Sequence, residues 1–272
     1  MLVVQVLAHW LAGHAAYRGE DPAGRFARYD LLHGRHVRPR GARRAPCGRR
    51  RSEQPSTPLR PSARPWPSLT YPTGMHDMPN NIAVLTNDMQ YELVNKNPER
   101  IRAVADAKGN FCRFLDGMRE RGCEIVHLQL INREDDANAE RYNGYLPVTK
   151  GSEGAQIIAE FLVESDLVVE KNKDSGFYET DLHEMLQARG VDTLVVTGMQ
   201  TQICVQTTAA DAFFRGYNIW VPSDCVVSAQ ETDKKRALEW LDTYCATVTE
   251  SAEVLRMIDA FGQLPRKVIK TP

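Results

Sequence analysis

A regular alternation of short apolar runs with stretches of helical spacing begins at Asn81 and constrains the fold more than any other feature. The apolar runs are short and bounded by polar residues or glycine, and we predict them to be buried strands. They occupy residues 82–86, 124–130, 167–170, 193–197, 218–221 and 246–249. Strands that are apolar on both faces and alternate with helices indicate a parallel sheet covered by helices on both sides. We therefore expect a three-layer α/β/α fold with a doubly wound, mostly parallel, six-stranded sheet of Rossmann-like type.

The predicted helices are marked by caps as well as by apolar spacing. Asn97 followed by Pro98 is typical of a helix start, and Gly122 is typical of the end of that helix. Further helices are expected at residues 155–162, 180–190, 203–215 and 233–244. The polar connection at 131–153 is long, and loops of that length are usually functional or mobile. One domain at 79–262 accounts for the pattern and leaves a C-terminal tail at 263–272.

Residues 1–78 form an N-terminal segment of different composition. The first 75 residues contain 13 arginines, no lysine and four acidic residues, together with a cluster of prolines between positions 55 and 67. A segment of this kind does not bury a core, so we expect it to be disordered or to reflect a mis-assigned start, with Met75 or Met78 as the true one. An arginine-rich transit peptide or a nucleic-acid arm is the alternative. The apolar run at 2–12 is too short to span a membrane and lacks a positively charged region before it.

The remainder of the chain is acidic. It holds 21 basic and 31 acidic residues, and an excess of about ten negative charges disfavours nucleic-acid binding, because phosphate contacts need a basic surface. The six cysteines of the chain include no C-x-x-C pair. This combination is typical of a cytoplasmic protein with reduced thiols, and we expect neither a nucleic-acid partner nor a membrane partner.

Three candidate catalytic residues follow predicted strands. Asp88 follows the first strand, Lys171 the third, and Cys204 lies a few residues after the fourth, where a helix is expected to begin. With strand order 3-2-1-4-5-6, Asp88 and Cys204 meet at the point where the order reverses, which is where open parallel sheets bind ligands. A helix N-terminus and a nearby lysine favour the thiolate of Cys204. Each residue also has an ordinary interpretation, as a turn aspartate, a solvated lysine or a buried structural cysteine.

Other kinds of site lack their sequence signals. No G-x-G-x-x-G and no Walker loop follows the first strand, and no G-x-S-x-G is present for a serine triad. After residue 75 the histidines are His76, His127 and His183, and none has the spacing of a metal ligand. We therefore expect neither a cofactor nor a metal. Cys225, which follows the fifth strand, is the rival nucleophile.

The strand-end segments together resemble the isochorismatase-like cysteine hydrolase family over about residues 80–255. The matching residues are Asp88-Met89-Gln90, Lys171 with Ser175 and Phe177, Thr180-Asp181-Leu182, Gly198-Met199-Gln200-Thr201, Cys204-Val205, Thr207-Thr208-Ala209-Ala210-Asp211-Ala212 and Gly216-Tyr217. The resemblance implies a catalytic triad of Asp88, Lys171 and Cys204. It also implies a cis peptide between Met199 and Gln200, an oxyanion hole made by the backbone N–H groups of Gln200 and Cys204, and a homo-oligomer, either a dimer or a tetramer.

Departures from the family pattern bear on the substrate. Nicotinamidases of this family carry an Asp-x-His metal element after the second strand, whereas this chain reads Gln129-Leu130-Ile131-Asn132 there. Side-chain amides near two strand ends suit a flat ureido group, and the overall resemblance is greatest to biuret and triuret hydrolases. Candidate substrate contacts are Gln129, Asn132, Phe177 and Gln200. We expect the pocket to prefer a small neutral ureido or carbamoyl amide of the biuret, triuret or ureidoacrylate type.

Alternative functions stay open at this point. An isochorismatase-type vinyl ether hydrolase binds an anionic ring acid and needs a basic pocket, for which Arg133 and Arg141 are candidates. A nicotinamidase-like amidase and a non-catalytic scaffold on the same fold are the others, since a fold alone does not establish activity.

Overall fold

A computed structural model describes residues 81–136, 139–142 and 144–268 of the chain. The predictions for the N-terminal segment at 1–78, including both alternative starts, fall outside the described residues. The side chain of Arg141 and the last four residues of the predicted tail also lie outside them.

The described part is built on a mostly buried parallel sheet. Its strands are β1 (Ile82–Asn87), β2 (Glu124–Leu130), β3 (Leu167–Lys171), β4 (Thr193–Met199), β5 (Asn218–Pro222), β6 (Val226–Val227) and β7 (Thr247–Thr249). They form a seven-stranded sheet in the order β3-β2-β1-β4-β5-β7, with β6 paired to β4 beside this path. Every pairing is parallel. The predicted fold class and strand order are confirmed, and the count of six is corrected by the two-residue β6.

Helices connect the strands and cover both faces of the sheet. They are α1 (Tyr91–Val94), α2 (Pro98–Glu120), α3 (Leu182–Ala188), α4 (Gln206–Phe214), α5 (Glu231–Tyr244) and α6 (Ser251–Phe261), with short 3-10 turns at Ala139–Tyr142 and Ser223–Cys225. A π-helical turn, Thr201–Val205, leads directly into α4. Asn97 caps α2 as predicted, because its side chain accepts a hydrogen bond from the backbone N–H of Arg100 at 2.9 Å. No helix in the part of the chain that the structure describes is long and apolar enough to cross a bilayer.

The predicted helix at 155–162 is wrong. Residues of this stretch form turns, and Ile157 pairs with Gln90 as an isolated bridge. The backbone carbonyl of Ala155 accepts hydrogen bonds from the side chains of Gln90 and Gln129. These contacts with β2 and with the segment that follows β1 replace the local hydrogen bonds that a helix would need, so tertiary structure decides the conformation.

Two apolar layers fill the space between sheet and helices. One contains the side chains of α2 and α6 with Val84 and Met199, and the other contains those of α3, α4 and α5 with Leu85 and Val196. The first layer continues past the predicted domain end at 262, since Leu264 is buried in it. The Asn218 side chain also donates to the carbonyl of Leu264 at 2.9 Å. The predicted boundary at 262 therefore falls short of the packed domain.

Candidate active site

The sheet brings the three predicted catalytic side chains to one place. Asp88 directly follows β1, Lys171 ends β3, and Cys204 lies in the π-helical turn after β4. Because β1 is paired with both β2 and β4, the carboxyl ends of these strands lie side by side at the reversal of strand order. Lys171 reaches Asp88 from the far side of β2.

Asp88 and Lys171 form a buried ion pair. The Lys171 Nζ atom lies 3.0 Å from Asp88 Oδ1 and 3.1 Å from Oδ2, and each side chain is at most 3% exposed. The same ammonium donates to the backbone carbonyls of Lys173 and Asp174 at 3.1 and 3.2 Å. Burial lowers the pKa of Lys171, but the neighbouring negative charges outweigh it and the net shift is upward. Lys171 is therefore a fixed cation that holds both oxygens of Asp88.

Cys204 is buried beside this pair. Its thiol lies within interaction range of the Asp88 side chain, and it donates a hydrogen bond to Oδ1 of Asp174, with the Sγ atom 3.7 Å from that oxygen. Burial, followed by the charge of Asp88, raises the pKa of Cys204 well above its ordinary value, and Lys171 offsets this only in part. Burial also raises the pKa of Asp88. The resting site therefore holds a thiol and an ammonium beside the carboxyl group of Asp88.

This protonation state corrects the expectation of a resting thiolate at Cys204. The sequence places the cysteine near a helix start and a lysine, both of which favour the anion. The fold also removes water and places two carboxylates beside the sulfur, which favours the neutral form. The thiol therefore has to lose its proton before the sulfur can act as a nucleophile, and the carboxyl groups of Asp88 and Asp174 both lie beside it.

The backbone at Asp88 is shaped by its neighbours on β1 and β4. Asp88 has a left-handed conformation, with φ of 55°, which aspartate tolerates better than most residues. On β4, Gly198 has φ of +101°, and a Cβ there would lie 2.2 Å from the carbonyl oxygen of Asn87. The close approach of the two strands beside the site therefore requires glycine at 198. The peptide between Met199 and Gln200 is cis, as the resemblance implied.

Hydrogen bonds from buried polar side chains tie the three catalytic segments together. Thr208 of α4 donates to Oδ1 of Asn87 at 3.0 Å and accepts the backbone N–H of Gly176 at 3.1 Å. Asn87 in turn donates to the carbonyl of Thr197 at 3.0 Å. Ser175 donates to Asp211 of α4 at 2.6 Å. The motif residues outside the triad therefore fix the positions of the loops that carry it.

Gln90 performs a similar role on the β2 side. It donates to the carbonyls of Leu130 and Ala155, both at 2.8 Å, and accepts the N–H of Leu130 at 2.8 Å. A fully buried amide with all these bonds joins the Asp88 segment to the end of β2 and to the turn at Ala155.

Comparison with known proteins assigns the family. The isochorismatase domain matches residues 82–253, which include every residue of the site described above. This chain belongs to the isochorismatase family. The family and fold predictions are confirmed, and the protein is an isochorismatase-family hydrolase.

Individual relatives are similar over different lengths. A probable inactive nicotinamidase of Arabidopsis thaliana is 31% identical over 167 residues, which are 55% of this chain and 82% of the relative. The ureidoacrylate amidohydrolase RutB of Methylobacterium radiotolerans is 35% identical over 127 residues, 46% of this chain and 47% of the relative. The solved N-carbamoylsarcosine amidase of Thermoplasma acidophilum is 31% identical with a TM-score of 0.55, and the match covers 62% of this chain and 96% of that structure.

The predicted substrate contacts of this isochorismatase-family hydrolase differ in their surroundings. Phe177 is not at the site: its ring is buried in the apolar layer against Tyr217, with ring centroids 5.9 Å apart, and this prediction is wrong. Gln129 and Asn132 use their amide nitrogens on the carbonyls of Ala155 and Pro147. Gln200 accepts the N–H of Ala229 at 3.0 Å, while its Nε2 atom is buried without a partner among the described residues. Among the predicted substrate contacts, Gln200 therefore has a side-chain N–H donor that no described residue uses.

A cavity of about 640 Å³ opens at the ends of β2 and β3 and includes Lys171 in its lining. Asn132 and Arg133 line it, and Arg133 lies 3.6 Å from Glu179, which is also part of the lining. Its remaining charged residues are Glu134, Asp135, Lys150 and Glu170. Among the described residues, the lining of this cavity therefore carries more acidic than basic side chains.

One feature of the site carries no motif in the sequence. Asp174 is an exposed loop residue directly before Ser175, and only the folded loop brings its carboxylate to Cys204. The rival nucleophile Cys225 is fully buried in the α2 layer, and burial raises its pKa far above the usual range. Within residues 81–136, 139–142 and 144–268 no group of three or more His, Cys, Asp or Glu side chains could hold a metal ion.

Proposed function

We propose that this protein is a cysteine amidohydrolase that cleaves a C–N bond of a small ureido or carbamoyl amide through a thioester. The observation that carries the proposal is the buried cluster of one thiol, one carboxyl group and one ammonium: Cys204 lies beside Asp88, and Lys171 Nζ lies 3.0 and 3.1 Å from the two Asp88 oxygens. A nucleophile, a base in contact with it and a group that orients the base are the parts that nucleophilic catalysis needs. The names of two similar proteins, a ureidoacrylate amidohydrolase and an N-carbamoylsarcosine amidase, support the carbamoyl class.

In the first half-reaction, Cys204 attacks the substrate carbonyl while its proton moves to Asp88. Burial raises the pKa of Asp88 and so makes it a stronger base than an ordinary aspartate, while the Lys171 charge opposes this shift and favours the ionised form. The backbone N–H groups of Gln200 and Cys204 are the proposed donors to the oxyanion. A donor of this kind contributes about 2.7–4 kcal/mol in comparable sites.

The tetrahedral adduct then collapses. Its C–N bond breaks, Asp88 returns the proton to the departing nitrogen, and ammonia or an amine leaves with the acyl group bound to Cys204 as a thioester. In the second half-reaction Asp88 takes a proton from water, the hydroxide adds to the thioester, and the C–S bond breaks with return of the proton to sulfur. A ureido substrate yields a carbamic acid, which decomposes to an amine and carbon dioxide.

The same observations give less support to the other candidate functions. The Arabidopsis relative is named a probable inactive nicotinamidase. In this chain the Asp-x-His element is missing after β2, and the Asn132 side chain donates a hydrogen bond to the carbonyl of Pro147. The vinyl ether hydrolase needs cations for a ring acid, but Arg133 is paired with Glu179.

The experiment is a screen for ammonia release from biuret, triuret, ureidoacrylate and nicotinamide, with the Cys204→Ala variant as the blank. Release from a ureido compound that exceeds nicotinamide by about a hundredfold in kcat/KM is expected, a bound that pockets built to pair polar groups reach readily. Equal rates on nicotinamide, or no release from any ureido compound, would remove the ureido assignment.

A further inference from the structure

A second carboxylate faces the nucleophile from the loop that follows β3. The Cys204 thiol donates a hydrogen bond to Oδ1 of Asp174, with the Sγ atom 3.7 Å from that oxygen. Asp174 is exposed to solvent, whereas Asp88 is buried. Its backbone is nevertheless fixed, because the Asp174 carbonyl accepts hydrogen bonds from Lys171 Nζ at 3.2 Å and from the Thr208 hydroxyl at 3.4 Å. The carboxylate is therefore held beside the sulfur in a position that solvent can reach.

The two aspartates beside the sulfur differ in how their charge is balanced. The Lys171 ammonium forms its ion pair with Asp88, at 3.0 Å from Oδ1, and contacts Asp174 at the backbone carbonyl. Within the part of the chain that the structure describes, the Asp174 carboxylate forms no ion pair with another residue. Its negative charge therefore acts on whatever binds at Cys204.

A substrate positioned for attack has to come close to this charge. A reacting carbon lies about 3–3.5 Å from its nucleophile, and Asp174 Oδ1 lies 3.7 Å from the same sulfur. The carbon and the carboxylate are therefore at most about 7 Å apart, within the Debye length of about 8 Å at physiological ionic strength. An ionised carboxylate accepts hydrogen bonds and donates none. It can therefore bind N–H groups of a carbamoyl compound, and it repels a second carboxylate.

We propose that Asp174 is a specificity-determining residue that selects the charge of the substrate. The preferred carbamoyl compound carries N–H donors or a positive charge beside the scissile carbonyl, and a carboxylate there is disfavoured. This inference rests on the proposed function and narrows it. Two similar proteins are named for ureidoacrylate and N-carbamoylsarcosine, and both of those compounds carry a carboxylate. The inference therefore separates this chain from these two relatives in substrate charge.

The first test alkylates Cys204 and does not depend on hydrolysis. Iodoacetamide and iodoacetate are similar in size, and each forms a C–S bond while iodide leaves and the thiol proton passes to solvent. Only iodoacetate is negatively charged. Peptide mass spectrometry gives the ratio of their second-order rate constants at Cys204, iodoacetamide over iodoacetate. In Asp174→Asn this ratio should fall about 3- to 30-fold, the range for two unit charges about 4–6 Å apart with screening between that of water and that of a protein surface.

The ratio isolates the charge effect, because both reagents attack the same sulfur and a change in the pKa of the thiol cancels. Asp174→Glu keeps the charge, and its ratio should stay closer to wild type than to Asp174→Asn. Glu164→Gln removes an exposed carboxylate at the opposite end of β3. It should change the ratio by less than about 1.5-fold, because a strand of this length extends about 16 Å and solvent screens the charge.

Two results of this test would overturn the proposal, whatever the substrate of the enzyme. One is an equal ratio in wild type and Asp174→Asn. The other is a ratio that moves as far in Glu164→Gln as in Asp174→Asn, since the effect would then follow the net charge of the protein.

The second test uses N-carbamoylglycine, N-carbamoylglycinamide and N-carbamoylethylenediamine, which present one ureido group beside a negative, a neutral and a positive group. The amine released is measured by mass spectrometry. Wild-type kcat/KM should rise in that order, and Asp174→Asn should flatten the order through KM. Preference of wild type for the anion, or an unchanged order in Asp174→Asn, would contradict the role of Asp174 while leaving the amidohydrolase intact. No release from any of the three, with the alkylation ratio still dependent on Asp174, would contradict the ureido assignment and leave the charge selection standing.

Discussion

Replacing Lys171 by methionine should destabilise the protein strongly, because it leaves the Asp88 carboxylate buried without its counter-charge. The two side chains are at most 3% exposed, with the ammonium 3.0 Å from Oδ1. Breaking a buried pair on one side costs about 3–5 kcal/mol in free energy of unfolding. That loss is a large share of the free energy of unfolding of a typical domain, which is about 5–15 kcal/mol.

The loss should also depend on pH in a defined direction. Burial already raises the pKa of Asp88 and Lys171 opposes this, so removing the lysine raises the folded-state pKa of Asp88 further. A group with a raised folded pKa contributes stability below its unfolded pKa and loses it as pH rises through the folded pKa. The difference between wild type and Lys171→Met should therefore be smallest near pH 4 and should grow by up to about 1.4 kcal/mol per pH unit once the pH exceeds the folded-state pKa of Asp88 in wild type.

The assay is urea denaturation followed by circular dichroism between pH 4 and pH 8. Lys150→Met is the matched control, since Lys150 pairs with Glu170 at 2.8 Å but its side chain is 74% exposed, and surface pairs contribute little. The double variant Asp88→Asn/Lys171→Met removes both charges and should recover much of the lost stability. The reasoning is refuted if Lys171→Met resembles Lys150→Met at pH 7, or if its deficit does not shrink toward acid pH.

Three further outcomes are expected. Gly198→Ala should lower the free energy of unfolding by more than about 2 kcal/mol, because the new Cβ would lie 2.2 Å from the Asn87 carbonyl oxygen and the backbone would also be strained. Gly190→Ala is the control for backbone strain alone, since Gly190 has a φ of +70° and open space around it. The acidic limb of the pH profile of kcat/KM should have an apparent pKa above 3.8, the ordinary value for aspartate, because burial raises the pKa of Asp88 and Asp88 must be ionised to accept the proton. An apparent pKa below 3.8 would contradict this. Activity should survive exhaustive chelation, because the described residues offer no metal-ligand group; a tenfold loss restored by zinc would contradict it.

The arrangement of the site was largely predictable because parallel strands impose it. Residues that follow neighbouring parallel strands meet at one edge, so Asp88 and Cys204 could be brought together from the sequence once the strand order was assumed. Lys171 required the same step across β2. The motif from Thr207 to Ala212 was recognisable, but the structural role of Thr208 within it was not. Its hydrogen bonds with Asn87 and Gly176 join three separate segments.

Other features depend on tertiary contacts that a sequence pattern does not show. The 155–162 stretch has apolar residues at near-helical spacing. Its backbone carbonyl at Ala155, however, accepts hydrogen bonds from the side-chain amides of Gln90, which follows β1, and Gln129 of β2. The aromatic Phe177 follows the predicted catalytic lysine in the motif but points into the apolar layer. The short helix α6 was not predicted, although Val254 and Ile258 form a buried stripe on it. The cytoplasmic location and the homo-oligomer stay predictions.

The most direct test of the account is the identity of the atom that carries the acyl group during turnover. Wild-type protein is mixed with a ureido substrate and quenched in acid within milliseconds. It is then digested, and the masses of its peptides are measured by mass spectrometry. The account predicts an added acyl mass on the peptide that contains Cys204, its release on treatment with hydroxylamine, and its absence in Cys204→Ala together with loss of ammonia release. An acyl group on Cys225 or on Asp88, or continued turnover by Cys204→Ala, would contradict it.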